Sequence, residues 1–132
     1  MAGETNISTL LKTMRPILNE GEYVFCTVDA SQTIDQTKSI GSFKEKDGLT
    51  LILEKRVADN LNLNYSYIAA WITLTVHSSL EAVGLTAAFS DTLAKEGISC
   101  NVVVAYYHDH IFVAKEDADK AMQVLEQLAH TK

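Results

Sequence analysis

One pattern occurs twice in this 132-residue chain, and it constrains the fold more than any bulk property does. Ile7, Leu10, Leu11, Met14, Ile17 and Leu18 stand at i, i+3, i+4, i+7, i+10 and i+11. That spacing predicts a helix over 7–18, stopped at Gly21, with Pro16 tightening its last turn. Tyr23–Val28 alternates as a strand, and 29–38 reads as a polar loop. Two more strands, 40–43 and 49–53, flank Asp47-Gly48, a strong hairpin signal. A short helix follows over 55–61.

The second copy opens with the clearest strand, Tyr67–Val76. Ile68, Ala70, Ile72, Leu74 and Val76 form one face, and Trp71, Thr73 and Thr75 the other. Ser78 and Glu81 fit a capping box for a helix over 79–96 that ends at Gly97. Leu80, Val83, Gly84, Ala87 and Ala88 would be its buried stripe. Strands over 98–105 and 111–114 and a last helix carrying Ala118, Ala121, Met122, Leu125 and Leu128 complete the chain. Its first turn is acidic, as the helix dipole favours. The two glycines are 97 − 21 = 76 residues apart. The expectation is an α+β fold of two β-α-β-β-α-β units, 1–64 and 65–132, each incomplete. The first lacks an opening strand and the second a closing one.

Several functions are disfavoured. A formal charge of −6, with Lys44, Lys46, Lys55 and Arg56 interleaved with Glu45, Asp47 and Glu54, argues against nucleic acid. The longest apolar candidate spans 10 residues, against the ~20 a membrane helix needs. The N-terminus lacks a secretory pattern, which makes the cytoplasm the expected location. Cys26 and Cys100 sit in alternating apolar stretches and are expected as buried thiols rather than a disulfide. The chain also lacks the sheet motif of RNA-recognition domains, the four cysteines of ferredoxins and an arginine-bearing phosphate loop.

Two constellations could carry function. His108-Asp109-His110, joined by His77, has the residue types of a metal site, although Asp109 points away from the histidine face. A plain hairpin turn accounts for the same residues. His77-Ser78-Ser79 lacks the G-x-S-x-G setting of a serine nucleophile. As the start of a helix it offers free amides and the positive dipole end to a carboxylate. Ser78 and Ser79 add hydroxyls, Asn101 on the neighbouring strand could take an ammonium through its carbonyl, and Glu81 could pair with a cation. Amino acids match that set, and a purely structural cap is the competing reading.

The run from Trp71 to Ser90, continued by Gly97–Val113, resembles the ACT-domain family of bacterial conserved proteins with two tandem ACT-like units. Met14-x-Pro16, Gly21–Phe25 and Lys44–Leu53 extend the likeness over nearly the whole chain. Val104-Ala105 departs from it, since relatives often have Ala-Gly there. The resemblance implies tandem ferredoxin-like units, each an antiparallel sheet with helices on one face. It also implies kinship with aspartate kinase regulatory regions and arginine-sensing ACT repeats. In such proteins an amino acid sits between ACT units at the first strand-to-helix turn. Carried onto this chain, that site is His77, Ser78, Ser79, Leu80, Val83, Gly84 and Asn101. The expected protein is a non-enzymatic, homodimeric amino-acid sensor without cofactor. The alternatives are a metal protein using His77, His108 and His110, or a ligand-free interaction module.

Overall fold

The computed structural model describes residues 7–29, 34–75 and 84–130. Their elements are α1 (Ile7–Thr13), β1 (Pro16–Leu18), β2 (Tyr23–Val28), β3 (Ser39–Glu45), β4 (Gly48–Glu54), α2 (Lys55–Asn60), β5 (Ile68–Leu74), α3 (Leu85–Lys95), β6 (Cys100–Val104), β7 (Asp109–Ala114) and α4 (Ala118–His130). Short 3-10 turns precede β3 and α4.

The chain forms two compact units, which contacts group differently from a linear cut. The smaller is 20–69, and the larger joins 1–19 to 70–132.

In the smaller unit β4 lies between β3 and β2, antiparallel to both, and the start of β5 pairs with β2 through Tyr23↔Ala69 and Val24↔Ile68. The spatial order is β5-β2-β4-β3. Val24, Cys26, Val28, Leu51 and Leu53 point to one face, where Ala58 of α2 closes over them. Gly48 turns the β3–β4 hairpin with φ 155°, and a Cβ there would stand 3.0 Å from the Val28 carbonyl oxygen.

In the larger unit the order is β1-β5-β7-β6, with β1 antiparallel to β5 and β6 antiparallel to β7. Numbered by role, both units have the order fourth-first-third-second. The larger unit's missing closing strand is therefore supplied by Pro16–Leu18, which pairs with Leu74, Thr73 and Ile72. The predicted helix over 7–18 accordingly stops at Thr13. Proline has no N–H and pushes the residue before it out of helical conformation, but it is tolerated at the first position of a strand. In the smaller unit nothing is missing at the start: β2 is the opening strand. What its described residues lack is a helix between β2 and β3, where only Gln36–Lys38 makes a 3-10 turn.

The larger core lies under three helices. Leu10 and Leu11 of α1 with Met14 just after it, Leu85, Phe89 and Leu93 of α3, and Ala121, Leu125 and Leu128 of α4 pack on Ala70, Ile72, Leu74, Ile111 and Val113. Leu85, Phe89 and Leu93 follow an i, i+4, i+8 spacing, so their side chains share one face. This corrects the expected stripe: Gly84 and Ala87 are exposed. Gly84 stands outside the helix as its N-cap, with φ 91°. The capping box at Ser78 and Glu81 lies outside the described residues. Cys26 is buried, Cys100 is half-buried, and both are free.

Candidate functional site

The sheet of the larger unit has a helix-covered face and a helix-free face, and the sequence-predicted site residues divide between them. Gly84 is at the start of α3. It makes no side-chain cap, and a Cβ there would meet nothing within 4 Å. Asn101 is exposed and pairs with Phe112. Its neighbours Cys100 and Val102 pack against the core, so strand alternation turns Asn101 to the helix-free face. The described residues therefore do not bring Asn101 and Gly84 together within the unit. His77, Ser78, Ser79, Leu80 and Val83 lie outside the described residues.

The helix-free face carries a polar network that the sequence reading did not assemble. Trp71 Nε1 donates to His110 Nδ1 at 3.0 Å, and Thr73 Oγ1 lies 3.2 Å from the same nitrogen. Asn19 Nδ2 donates to Thr73 Oγ1 at 3.0 Å and to the Trp71 carbonyl at 3.2 Å. An indole N–H only donates, so Nδ1 must accept and the neutral ring carries its proton on Nε2. The Thr73 hydroxyl, already accepting from Asn19, turns its own hydrogen toward Nδ1. Trp71 also stacks on Phe112, with ring centroids 6.2 Å apart. Burial lowers the His110 pKa below its ordinary 6.5, and nearby His108 pushes in the same direction. The sequence signal was present as Trp71, Thr73 and Thr75 alternating with a core face. The long-range partners Asn19 and His110 carried no local mark.

That network bears on the metal expectation for His108 and His110, while His77 lies outside the described residues. No group of three His, Cys, Asp or Glu converges among the described residues. His110 Nδ1 is occupied by Trp71 on the helix-free face, while strand alternation places Asp109 on the other.

Asp109 is a second residue whose role the spacing did not reveal. It is in phase with Ile111 and Val113 and is 3% exposed, the one buried charged residue among those described. Desolvation raises its carboxyl pKa above the ordinary 3.8, against the opposing pull of His108. His108 Nδ1 is itself buried without a hydrogen bond. In the turn beyond β6, Tyr106 and Tyr107 are exposed and meet edge to face at 5.0 Å.

The grooves of the smaller unit are of another kind. One is lined by Glu22, Glu54, Lys55, Arg56 and Asp59. Its cations are paired, Lys55 with Asp59 at 3.1 Å and Arg56 with Glu54 at 3.2 Å. Solvated pairs of this sort already answer both cations of the groove.

Comparison with known proteins agrees with this geometry. A family model described as an ACT domain matches residues 2–70, and a second ACT-domain model matches 66–127. A crystal structure of a Vibrio cholerae protein of unknown function, described as a possible transport protein, is similar at 50% identity. That match covers 93% of this chain and 95% of the other, with a TM-score of 0.84. An Agrobacterium tumefaciens protein shares the fold at 18% identity, covering 88% and 89%, with a TM-score of 0.68. The regulatory subunit of aspartate kinase from Thermus flavus shares it at 7% identity, covering 86% and 96%, with a TM-score of 0.61. No curated protein matches the chain. With tandem ferredoxin-like units and two family matches that together span residues 2–127, this chain belongs to the ACT-domain family.

Proposed function

We propose that this chain is a non-catalytic regulatory protein that binds an amino acid at the start of α3 and works as a homodimer in the cytoplasm. The observation that carries the reading is the entry to α3. An 11-residue helix begins after Gly84 with no side-chain cap, so its first amides are not taken up by that residue. Such a terminus, with its positive dipole end, suits a carboxylate. Family membership supports a regulatory role, and the Thermus flavus neighbour is a regulatory subunit. His77, Ser78, Ser79, Leu80 and Val83 remain the proposed lining, with Asn101 contributed from a second copy because its own sheet turns it away.

β6 supports the homodimer. It is an outer strand of its sheet and has no charged residue, and it exposes Val103 and Val104. A neutral edge with exposed apolar side chains favours pairing with another strand. β3, also an outer strand, is irregular at Ser39/Gly41 and ends in Lys44-Glu45, features that discourage pairing. No helix among the described residues is long and apolar enough to cross a membrane.

A thermal-shift series with the twenty L-amino acids tests the reading. A ligand at 100 times its dissociation constant adds ~2.7 kcal/mol, a shift of several degrees for a chain of this size. A selective response from one amino acid or a related group is expected. A flat panel rejects the reading.

A further inference from the structure

The smaller unit has a cleft at the position where the larger unit has a helix. In the larger unit α3 joins the first and second strands of the motif. It packs against β6, the second strand, and against α4, the helix after the third. Cys100 and Val102 of β6 are packed into the core there. In the smaller unit the counterparts of β6 and α4 are β3 and α2. α2 packs on β2 and β4. Between β2 and β3 the described residues hold only the 3-10 turn Gln36–Lys38, and no residue of β3 joins the core.

The space between the start of β3 and α2 is a cleft of about 420 Å³. Sites for small molecules span about 300–1,000 Å³. Ile40, Val57 and Leu61 give this one an apolar wall, and Thr37, Ser39 and Asn60 give it uncharged hydrogen-bonding groups. Its ionisable residues are Lys38, Arg56 and Glu54. Arg56 Nη2 donates to Glu54 Oε2 at 3.2 Å, so those two charges answer each other. Lys38 makes no ion pair among the described residues. The nearby Asp35 carboxylate accepts instead from the Thr37 amide at 3.0 Å and the Thr37 hydroxyl at 2.6 Å. The cleft therefore keeps one positive charge, in a chain whose formal charge is −6.

We propose that this cleft binds a small organic acid, with its carboxylate on Lys38 and its apolar body against Ile40, Val57 and Leu61. One positive charge matches one carboxylate. A phosphate monoester brings about two negative charges at neutral pH. A zwitterionic amino acid brings an ammonium group that Lys38 and Arg56 repel. The site goes beyond the amino-acid reading for the start of α3 and does not depend on it.

Amide NMR spectra of the full chain, titrated with phenylacetate, test the proposal. Saturable shifts centred on residues 37–40 and 54–61 are expected. Benzyl alcohol, phenyl phosphate and L-phenylalanine keep the ring and change the head group. Each should bind the cleft about tenfold more weakly, as loss of a matched charge requires. Lys38→Gln should weaken phenylacetate by a similar factor, and Ile40→Ser by less. Lys46→Gln, in the β3–β4 turn outside the cleft, should leave binding unchanged. Shifts that do not saturate, that centre elsewhere, or that survive Lys38→Gln would overturn the proposal. So would a cleft response to any of the three other compounds as strong as that to phenylacetate. Responses to amino acids at residues 85–88 are read in the same spectra, so the cleft and the α3 site can each fail alone.

Discussion

The two units reach one strand order by different means. In the larger unit the first and second strands of the motif are joined through an 11-residue helix, and 18 of the described residues form the buried core. In the smaller unit the corresponding described residues hold only a three-residue 3-10 turn, and 6 buried residues form the core. The four strands of the smaller unit thus pair with no α-helix among the described residues between the first two. Among the described residues, only the larger unit presents a long helix following the first strand, and so only it offers a helix start to an anion.

If that contrast is sound, its energetics should differ accordingly. Phe89 is fully buried among three helices, and Phe89→Ala should cost about 3–5 kcal/mol, the largest effect of the set. Leu53→Ala, in the smaller core, should cost about 2 kcal/mol, because a thin layer collapses more readily around the gap. Urea unfolding, read by the fluorescence of Trp71, ranks the two. Native-state hydrogen exchange then asks whether Leu53→Ala loosens 20–69 selectively. Equal loss of protection in both units would break the comparison.

The glycines probe each unit on a smaller scale. A Cβ at Gly48 would press on the Val28 carbonyl oxygen as well as strain the backbone, so Gly48→Ala should cost about 2 kcal/mol. Gly84→Ala meets open space and should cost only about 1 kcal/mol, from its φ of 91°. Chemical denaturation that reverses this order would mean that Gly84 is confined.

The smallest effect belongs to His110. Its pKa is lowered on folding, so the stability it contributes is present above 6.5 and is lost as pH falls through the lowered value. Protonation puts a hydrogen on Nδ1, where the Trp71 N–H already points. Trp71 fluorescence should therefore change with a midpoint below 6.5, and His110→Phe should remove the transition. A transition that persists in His110→Phe would belong to another group and would break this assignment.

Much of the fold was legible because it is written in local periodicity. The alternation of Tyr23–Val28 and of Ile68–Leu74, the Asp47-Gly48 turn and the last amphipathic helix are each within a residue or two of expectation. The failures share a cause. Ile17 and Leu18 continue a helical stripe in sequence, yet they lie in β1 because Pro16 ends the helix and β5 has an open edge to receive them. Gly84 fits a helical spacing, yet its positive φ places it before the helix.

By itself, the sequence determined most of the pattern of strands and helices, and the family. Those depend on side-chain periodicity and on glycine and proline, which act over a few residues. Only the tertiary structure decided that β1 closes the unit opened by β5, that Asn101 and Gly84 lie on opposite sides of a sheet, that Trp71 donates to His110, and that Asp109 is buried. Each is a contact, or a missing one, between segments far apart in the chain, and no local preference of either segment specifies it.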